Sequence, residues 1–457
     1  MNETALPQLN RTRSNDSLET EIKNNLPAPV VLQRDAHTIS RSNISEPALK
    51  VLYRLKKSDY DAYLVGGGVR DLLLDRHPKD FDIVTNALPE DAIQLFRNSR
   101  LIGRRFRLVH VHFGKEIIEV ATFRGHEEQS ESDTDNIKDR HTRDGMLIRD
   151  NVFGTIEEDA WRRDFTINAL YYNIQDFTVI DYTGGLDDLR NRLIRIIGDP
   201  EQRYREDPVR MLRAARFAAK LGFTVEPDTE APIYQLADLL THVPPARLFE
   251  EVLKLFLSGH AVATYDLLRK YTLFDKLFPY TAALLKPEHP ANADVDALIR
   301  LGLSNTDERI AEGKPVTPAF LFAIMLWRPM QNLAEADLAN GMRPLQAYQQ
   351  AGSEVIAQQT GFVSLPKRFS MQSREIWSLQ QRLHNRSGNR AYRLLSLPRF
   401  RAGYDFLLLR AHSIEPDLLP LCDWWTEFQS ANESGRAAML KKVQSPKRRG
   451  RRSRRNR

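Results

Sequence analysis

Ala62-Tyr63-Leu64-Val65-Gly66-Gly67-Gly68-Val69-Arg70-Asp71 is followed shortly by Asp80-Phe81-Asp82. The opening residues are a short apolar strand that stops abruptly at glycine, and Val69 to Leu74 resumes as a helix. A glycine turn between strand and helix offers backbone N–H groups to a triphosphate, although glycine in such turns also serves tight packing. The second strand, Phe81 to Thr85, and the residue just before it supply two carboxylates two residues apart, Asp80 and Asp82. Alternation aims Asp80 and Asp82 at one face while Phe81 points into the core. Paired hard oxygen donors suit Mg²⁺, and adjacent carboxylates repel unless a cation lies between them. A lone Asp-x-Asp is more often a solvated strand end, but its place behind a glycine turn makes this pair a candidate metal site. Glu119, on the predicted strand Ile117-Ile118-Glu119-Val120, is the candidate third ligand; its bland alternative is an exposed strand glutamate.

Outward from this stretch, Ser45-Glu46-Pro47 reads as a helix start, with Leu49, Leu52 and Leu55 on one side of the helix that follows. Leu88-Pro89-Glu90-Asp91 opens another helix. Leu108 to Phe113 and Glu116 to Phe123 form a hairpin across Gly114-Lys115. Arg124 to Asp150 is polar and aperiodic, an insertion expected to be mobile. Strands return at Asn168 to Ile174 and Thr178 to Tyr182. Beyond Leu186 the pattern is helical throughout: Asp207 to Leu221, Pro245 to Leu257, Val262 to Tyr271, Pro318 to Trp327, Arg374 to Leu383 and Phe400 to Ala411. The fold class expected is α+β, a small mixed α/β head followed by an all-helical neck and body. The segments expected are a disordered 1–42, a catalytic head at 43–185, a neck at 186–275, an RNA-binding body at 276–430 and a disordered Arg-rich tail at 431–457.

The net charge of +6 is unevenly placed. Lys447 to Arg457 holds eight basic residues in eleven with no acid, so everything upstream is slightly negative. Such a block does not fold alone and commonly binds nucleic acid, with a solubilising end or a membrane-surface anchor as alternatives. The longest compact apolar run, Ala319 to Trp327, is far short of a bilayer span, so no transmembrane segment is expected. The single Cys422 excludes an intramolecular disulfide framework and a Cys-based zinc site. The N-terminus lacks the apolar core of a secretory signal, and a cytoplasmic location follows.

Gly67-Gly68-Val69-Arg70-Asp71 with Asp80-Phe81-Asp82 resembles the opening motif of the class II nucleotidyltransferases, which comprise bacterial poly(A) polymerases and tRNA CCA-adding enzymes. The next motifs come in the same order. Glu158-Asp159 and Arg162-Arg163-Asp164-Phe165-Thr166-Ile167-Asn168 resemble the segment that contacts ribose and triphosphate. Asp181-Tyr182-Thr183-Gly184-Gly185 resembles the hinge between head and neck, and Arg205-Glu206-Asp207-Pro208-Val209-Arg210-Met211-Leu212-Arg213 resembles the neck helix that reads the base. The likeness weakens beyond Tyr271. The resemblance implies nucleotide contacts at Gly67, Gly68, Arg70, Asp159, Arg162, Arg163, Asp164, Asn168, Glu206, Asp207, Arg210 and Arg213, with Asp164 and Asn168 shaping the ribose pocket or holding arginines.

The chemistry of these residues agrees. Arg162 and Arg163 are fork-shaped donors suited to phosphate, their alternative being a charged solvent face. Glu206, Asp207 and Arg210 have the spacing of a plain helix ion pair. As base readers, Asp accepts from the exocyclic amine of adenine and Arg donates to the adjacent ring nitrogen, a pattern cytosine shares and guanine and uracil invert. Between the two products, Leu101-Ile102-Gly103-Arg104-Arg105-Phe106-Arg107-Leu108-Val109-His110 resembles a stretch marking the poly(A) polymerases, and the basic tail suits a broad RNA substrate. Arg104, Arg105, Arg107, Lys447, Arg448, Arg449, Arg451 and Arg452 are the RNA-binding candidates. The activity implied is template-independent transfer of AMP from ATP to RNA 3′ ends with release of pyrophosphate. Asp80, Asp82 and Glu119 would hold two Mg²⁺ ions, with RNA 3′ ends, ATP and RNA-decay proteins as partners. CCA addition to tRNA and an RNA-binding adaptor with a degenerate site are the competing readings.

Overall fold

The computed structural model describes residues 28–103, 107–125 and 152–443. The chain divides into two compact units, Met1–Asp199 and Pro200–Arg457. The first is a mixed α/β head and the second is helical, as the α+β class requires.

The head is built on an eight-stranded sheet ordered β1-β8-β7-β2-β3-β6-β5-β4. Its strands are β1 (Val30–Leu32), β2 (Ala62–Val65), β3 (Asp82–Thr85), β4 (Ser99–Ile102), β5 (Leu108–Phe113), β6 (Glu116–Thr122), β7 (Leu170–Asn173) and β8 (Val179–Asp181). Helix α1 (Glu46–Lys57) starts at Ser45, whose hydroxyl accepts from the Ala48 N–H, and buries Ala48, Val51, Leu52 and Leu55 along one stripe. Short helices α2 (Gly67–Leu73) and α3 (Pro89–Leu95) follow β2 and β3. Helix α4 (Ile156–Arg162) lies on the other face of the sheet, where Ala160 packs with Val65, Val84, Phe123 and Tyr171.

Register decides what the sheet displays. β3 and β6 run parallel with Asp82 beside Glu119, and the antiparallel β6–β5 and β5–β4 pairs continue the row through His110 to Arg100. Along β6, Ile118 and Val120 are buried while Ile117 and Glu119 are exposed, the alternation of a half-open sheet. The head closes at α5 (Gly185–Asn191). The Asp181 carboxylate accepts from the N–H groups of Thr183, Gly184, Gly185 and Leu186 at 2.8–3.0 Å. A Cβ on Gly185 would stand 2.2 Å from the Thr166 carbonyl oxygen, so only glycine allows this approach.

The second unit opens with α6 (Pro200–Glu206), α7 (Val209–Leu221), α8 (Pro227–Leu236) and α9 (Pro245–Phe256). Its last helices enclose a core of Leu379, Leu383, Phe400, Tyr404, Trp425 and Phe428. No described helix is long and apolar enough to cross a membrane.

Several expectations need correction. Residues 28–42, expected disordered, include β1, which pairs antiparallel with β8, and two 3₁₀ turns. The tail expected to be disordered from 431 begins with the helix Glu433–Lys442, capped by Asn432. The Pro318 to Trp327 helix stops at Met325, and Trp327 opens a separate helix. Asp80 lies ahead of β3 rather than on it, so alternation along the strand does not place it. The residues around α5 stay with the head, whose unit extends to Asp199. Most of the polar insertion lies outside the described residues; its start is tied down by a bridge between Arg124 and Phe153.

Candidate active site

β2 delivers the chain into Gly66, which takes φ +74°, a value that L side chains rarely adopt. Its Cβ direction faces Asp82 Oδ2 at 3.6 Å and Arg163 Nη1 at 3.8 Å, so the glycine turn, a carboxylate and a guanidinium meet at one place. Burial pushes the Asp82 carboxyl up from its ordinary 3.8 to about 6, Glu119 and Asp80 add to the rise, and Arg163 opposes it. Negative charge therefore accumulates here beyond what the arginine offsets. His110 Nε2 stands 3.4 Å from Glu119 Oε1.

This donor set fits a divalent cation: hard carboxylate oxygens on neighbouring strands, with the Asp82 carboxyl raised by burial and then by Glu119 and Asp80. Among the described residues no three Asp, Glu, His or Cys side chains already stand close enough to hold an ion, so these carboxylates would have to draw together around one.

The arginine side is more tightly built. Asp159 is 5% exposed and accepts from Arg163 at 2.9–3.0 Å and from the Tyr171 hydroxyl at 2.7 Å. Burial works against the Arg163 charge, but Asp159 and Tyr171 outweigh it and hold the guanidinium ionised. Asp159, expected at the nucleotide, is thus an inward anchor for Arg163. Arg70 is also held inward: it is 1% exposed and donates to Asp71 at 2.7–2.9 Å and to Asn168 Oδ1 at 2.5 Å. It ties α2 to the Thr166–Asn168 turn, and Asn168 holds an arginine, one of the two roles expected of it. Arg162 donates to the Gly125 carbonyl, and Asp164 is partly buried with its carbonyl accepting from the Ile197 N–H.

In the helical unit, Asp207 and Arg210 are both 7% exposed. Asp207 Oδ2 accepts from Arg247 at 2.6 Å, and Oδ1 accepts from the Val209 N–H at 3.3 Å. Arg210 donates to Glu206 Oε2 at 2.9 Å and to the Arg203 carbonyl at 2.7 Å. The Glu206–Arg210 pair therefore exists, but as part of a buried network rather than on the surface. Arg213 lies 3.8 Å from the buried Glu251. Of the RNA-binding candidates, Arg107 pairs with Glu90, while Arg104, Arg105, Lys447, Arg448, Arg449, Arg451 and Arg452 lie outside the described residues.

Residues 62–195 match a family profile described as the poly A polymerase head domain, residues 222–285 a probable RNA and SrmB-binding site of polymerase A, and residues 340–457 a polymerase A arginine-rich C-terminus. A poly(A) polymerase I from Salmonella typhi is 52% identical over 431 residues, covering 94% of this chain and 92% of that one. The chain belongs to the poly(A) polymerase family. A CCA-adding enzyme from Geobacillus stearothermophilus is 42% identical, but over only 49% of this chain and 52% of its own. The solved Bacillus stearothermophilus CCA-adding enzyme in complex with CTP superposes with a TM-score of 0.55 at 26% identity, covering 88% of this chain and 90% of that one.

Within this polymerase-type head, Tyr171 and Arg100 escaped sequence reasoning, which reads His110 as an ordinary strand residue; Arg247 in the helical unit escaped it too. The Asp-Arg-Tyr knot carries a signal in hindsight, since Asp159 and Arg163 stand at helical i, i+4 spacing. Arg247 carries none: forty residues separate it from Asp207.

Proposed function

We propose that this chain extends RNA 3′ ends with adenylate, transferring AMP from ATP and releasing pyrophosphate. The observation that carries the reading is the near full-length likeness to poly(A) polymerase I, against half-length likeness to the CCA-adding relative. Asp80, Asp82 and Glu119 would hold two Mg²⁺ ions, which when bound make the attacking 3′-hydroxyl more acidic and neutralise charge on the departing pyrophosphate. The protein's own share is positioning and electrostatics, on which phosphoryl transfer chiefly depends. Arg163, held by Asp159 and Tyr171, stands with its guanidinium at the glycine turn, where its charge would attract phosphate oxygens. Arg70 and Asn168 keep that turn in place from below. Asp207 and Arg210 suit the amine-and-acceptor edge of adenine, held in orientation by Arg247 and Glu206. RNA and ATP are the ligands of this reading, with residues 276–430 and the basic tail adding RNA grip. A cytoplasmic setting beside RNA-decay proteins belongs to the same proposal.

The test is product length from unstructured RNA with ATP alone and with CTP alone. Long adenylate ladders and poor cytidylate addition are expected. Addition limited to C-C-A, and only on tRNA, would replace this reading with the CCA-adding one.

A further inference from the structure

Displacement at phosphorus places the attacking oxygen and the leaving oxygen roughly in line, on opposite sides of the transferred group. In the head, the groups suited to the leaving pyrophosphate lie on the β2 flank of Asp82: the turn at Gly66, and Arg163, which Tyr171 on β7 holds. The attacking hydroxyl must then approach over the opposite flank, across β6, β5 and β4. Among the described residues that flank is a partly exposed strip. Its first row is Glu119, His110 and Arg100, all on the face that bears Asp82. The next row is His112 beside Ile117, the latter 43% exposed, with Asn98 donating to the His112 carbonyl. His112 Nε2 is buried without a partner among the described residues, and the His110 and His112 rings meet edge to face at 6.4 Å.

The chemistry of the strip matches one ligand. Imidazole nitrogens can donate to or accept from a ribose hydroxyl, an exposed arginine suits a phosphate, and an exposed isoleucine suits a base. Three strand spacings separate Arg100 from Asp82, roughly 14 Å, a span of a few nucleotides. Arg100 has no carboxylate partner among the described residues and stands on the edge strand.

We propose that the strip formed by Arg100, His110 and Ile117 is the track of the RNA primer's last nucleotides, with His110 at the terminal ribose and Arg100 at an upstream phosphate. The inference rests on the reading that this head extends RNA at Asp82, and it adds Arg100, His110 and Ile117 to the RNA contact that the sequence suggested only for Arg104, Arg105 and Arg107.

The test uses the full chain. An oligoadenylate with a photoreactive 3′-terminal base, bound with a non-hydrolysable ATP analogue, should crosslink to peptides between residues 98 and 119. This readout needs no turnover, so it judges the track separately from the product. Failure of the wild type to extend any RNA would instead strike the functional reading. In kinetics, Arg100→Gln should raise KM for RNA several-fold, leave KM for ATP within about twofold, and flatten the log–log salt slope by about 0.7. His110→Ala should lower kcat/KM about tenfold on a primer ending in a ribonucleotide and much less on one ending in a 2′-deoxynucleotide, with His110→Asn recovering part of the loss. Crosslinks confined to the helical unit, an unchanged KM for RNA in Arg100→Gln, or equal losses of His110→Ala on both primers would each overturn the assignment.

Discussion

At Asp82 the sheet concentrates negative charge in a partly buried place, and the cost appears as a carboxyl raised to about 6. A carboxyl raised above its unfolded value favours the protonated form in the fold. Its stabilising contribution is complete below about pH 4 and is lost as pH rises through about 6. A displacement of this size corresponds to at most about 3 kcal/mol, and solvent screening at a partly exposed group reduces it to ~1 kcal/mol. Asp82→Asn should therefore abolish nucleotide addition while raising the metal-free melting temperature by a few degrees at pH 7.5, with little change at pH 4.5. Mg²⁺ should narrow that gap by stabilising the wild type alone. Thermal melts at both pH values, with and without Mg²⁺, check this; a variant that is active, or less stable at pH 7.5, contradicts it. Asp159 illustrates the opposite strategy. Its carboxylate is fully used by Arg163, Tyr171 and the Arg124 N–H, which is why it serves the site by holding a cation still.

Among elements, those with strong periodicity were legible and those defined by neighbours were not. β2 and β3 announce themselves as short apolar runs, β5 and β6 through alternation, and α1 through its cap and stripe. β4 escaped because three of its four residues are exposed and its pattern carries no alternation; it is a strand because β5 offers an edge to pair with. β1 escaped for the same reason, three residues in a polar stretch, ordered by β8. Asp80 shows the limit of the period-two argument, since the strand begins only at Asp82 and the turn after α2 sets its position. The segment after β8 has its own test. Asp181 alone satisfies four N–H groups at the start of α5, so Asp181→Ala should lower stability by about 2 kcal/mol, whereas Asp181→Asn should recover part of it. Urea denaturation measures this, and equal stability of Asp181→Ala and wild type would refute the capping role.

At the scale of the whole molecule, charge is segregated: the basic surplus lies in the last residues, beyond the folded Glu433–Lys442 helix, while the rest is close to neutral. Removing Lys447 to Arg457 should weaken RNA binding and reduce its salt dependence, each lost phosphate contact taking about 0.7 from the slope, with ATP binding unchanged. Fluorescence anisotropy at several salt concentrations decides it; an unaltered slope assigns the tail to a different partner. Class and chemistry were legible early for a separate reason. The head's motifs are local in sequence, whereas the buried pairing of Asp207 with Arg247 depends on helices brought together by folding.

The β3–β6 pair is parallel, whereas β2–β3, β2–β7, β4–β5 and β5–β6 are antiparallel. Parallel neighbours cannot be joined by a tight turn, so Asp82 meets Glu119 only after the intervening chain has looped out, formed the β5–β6 hairpin and returned. Asp82 and Glu119 are thus joined by one of the slower kinds of contact in the head, set by loop-closure entropy rather than local preference. A chain emerging during synthesis presents its glycine turn and Asp82 well before Glu119 exists to flank them. The proposed metal site would therefore be completed late in folding, and a partly made head would lack the set of carboxylates that the proposal requires.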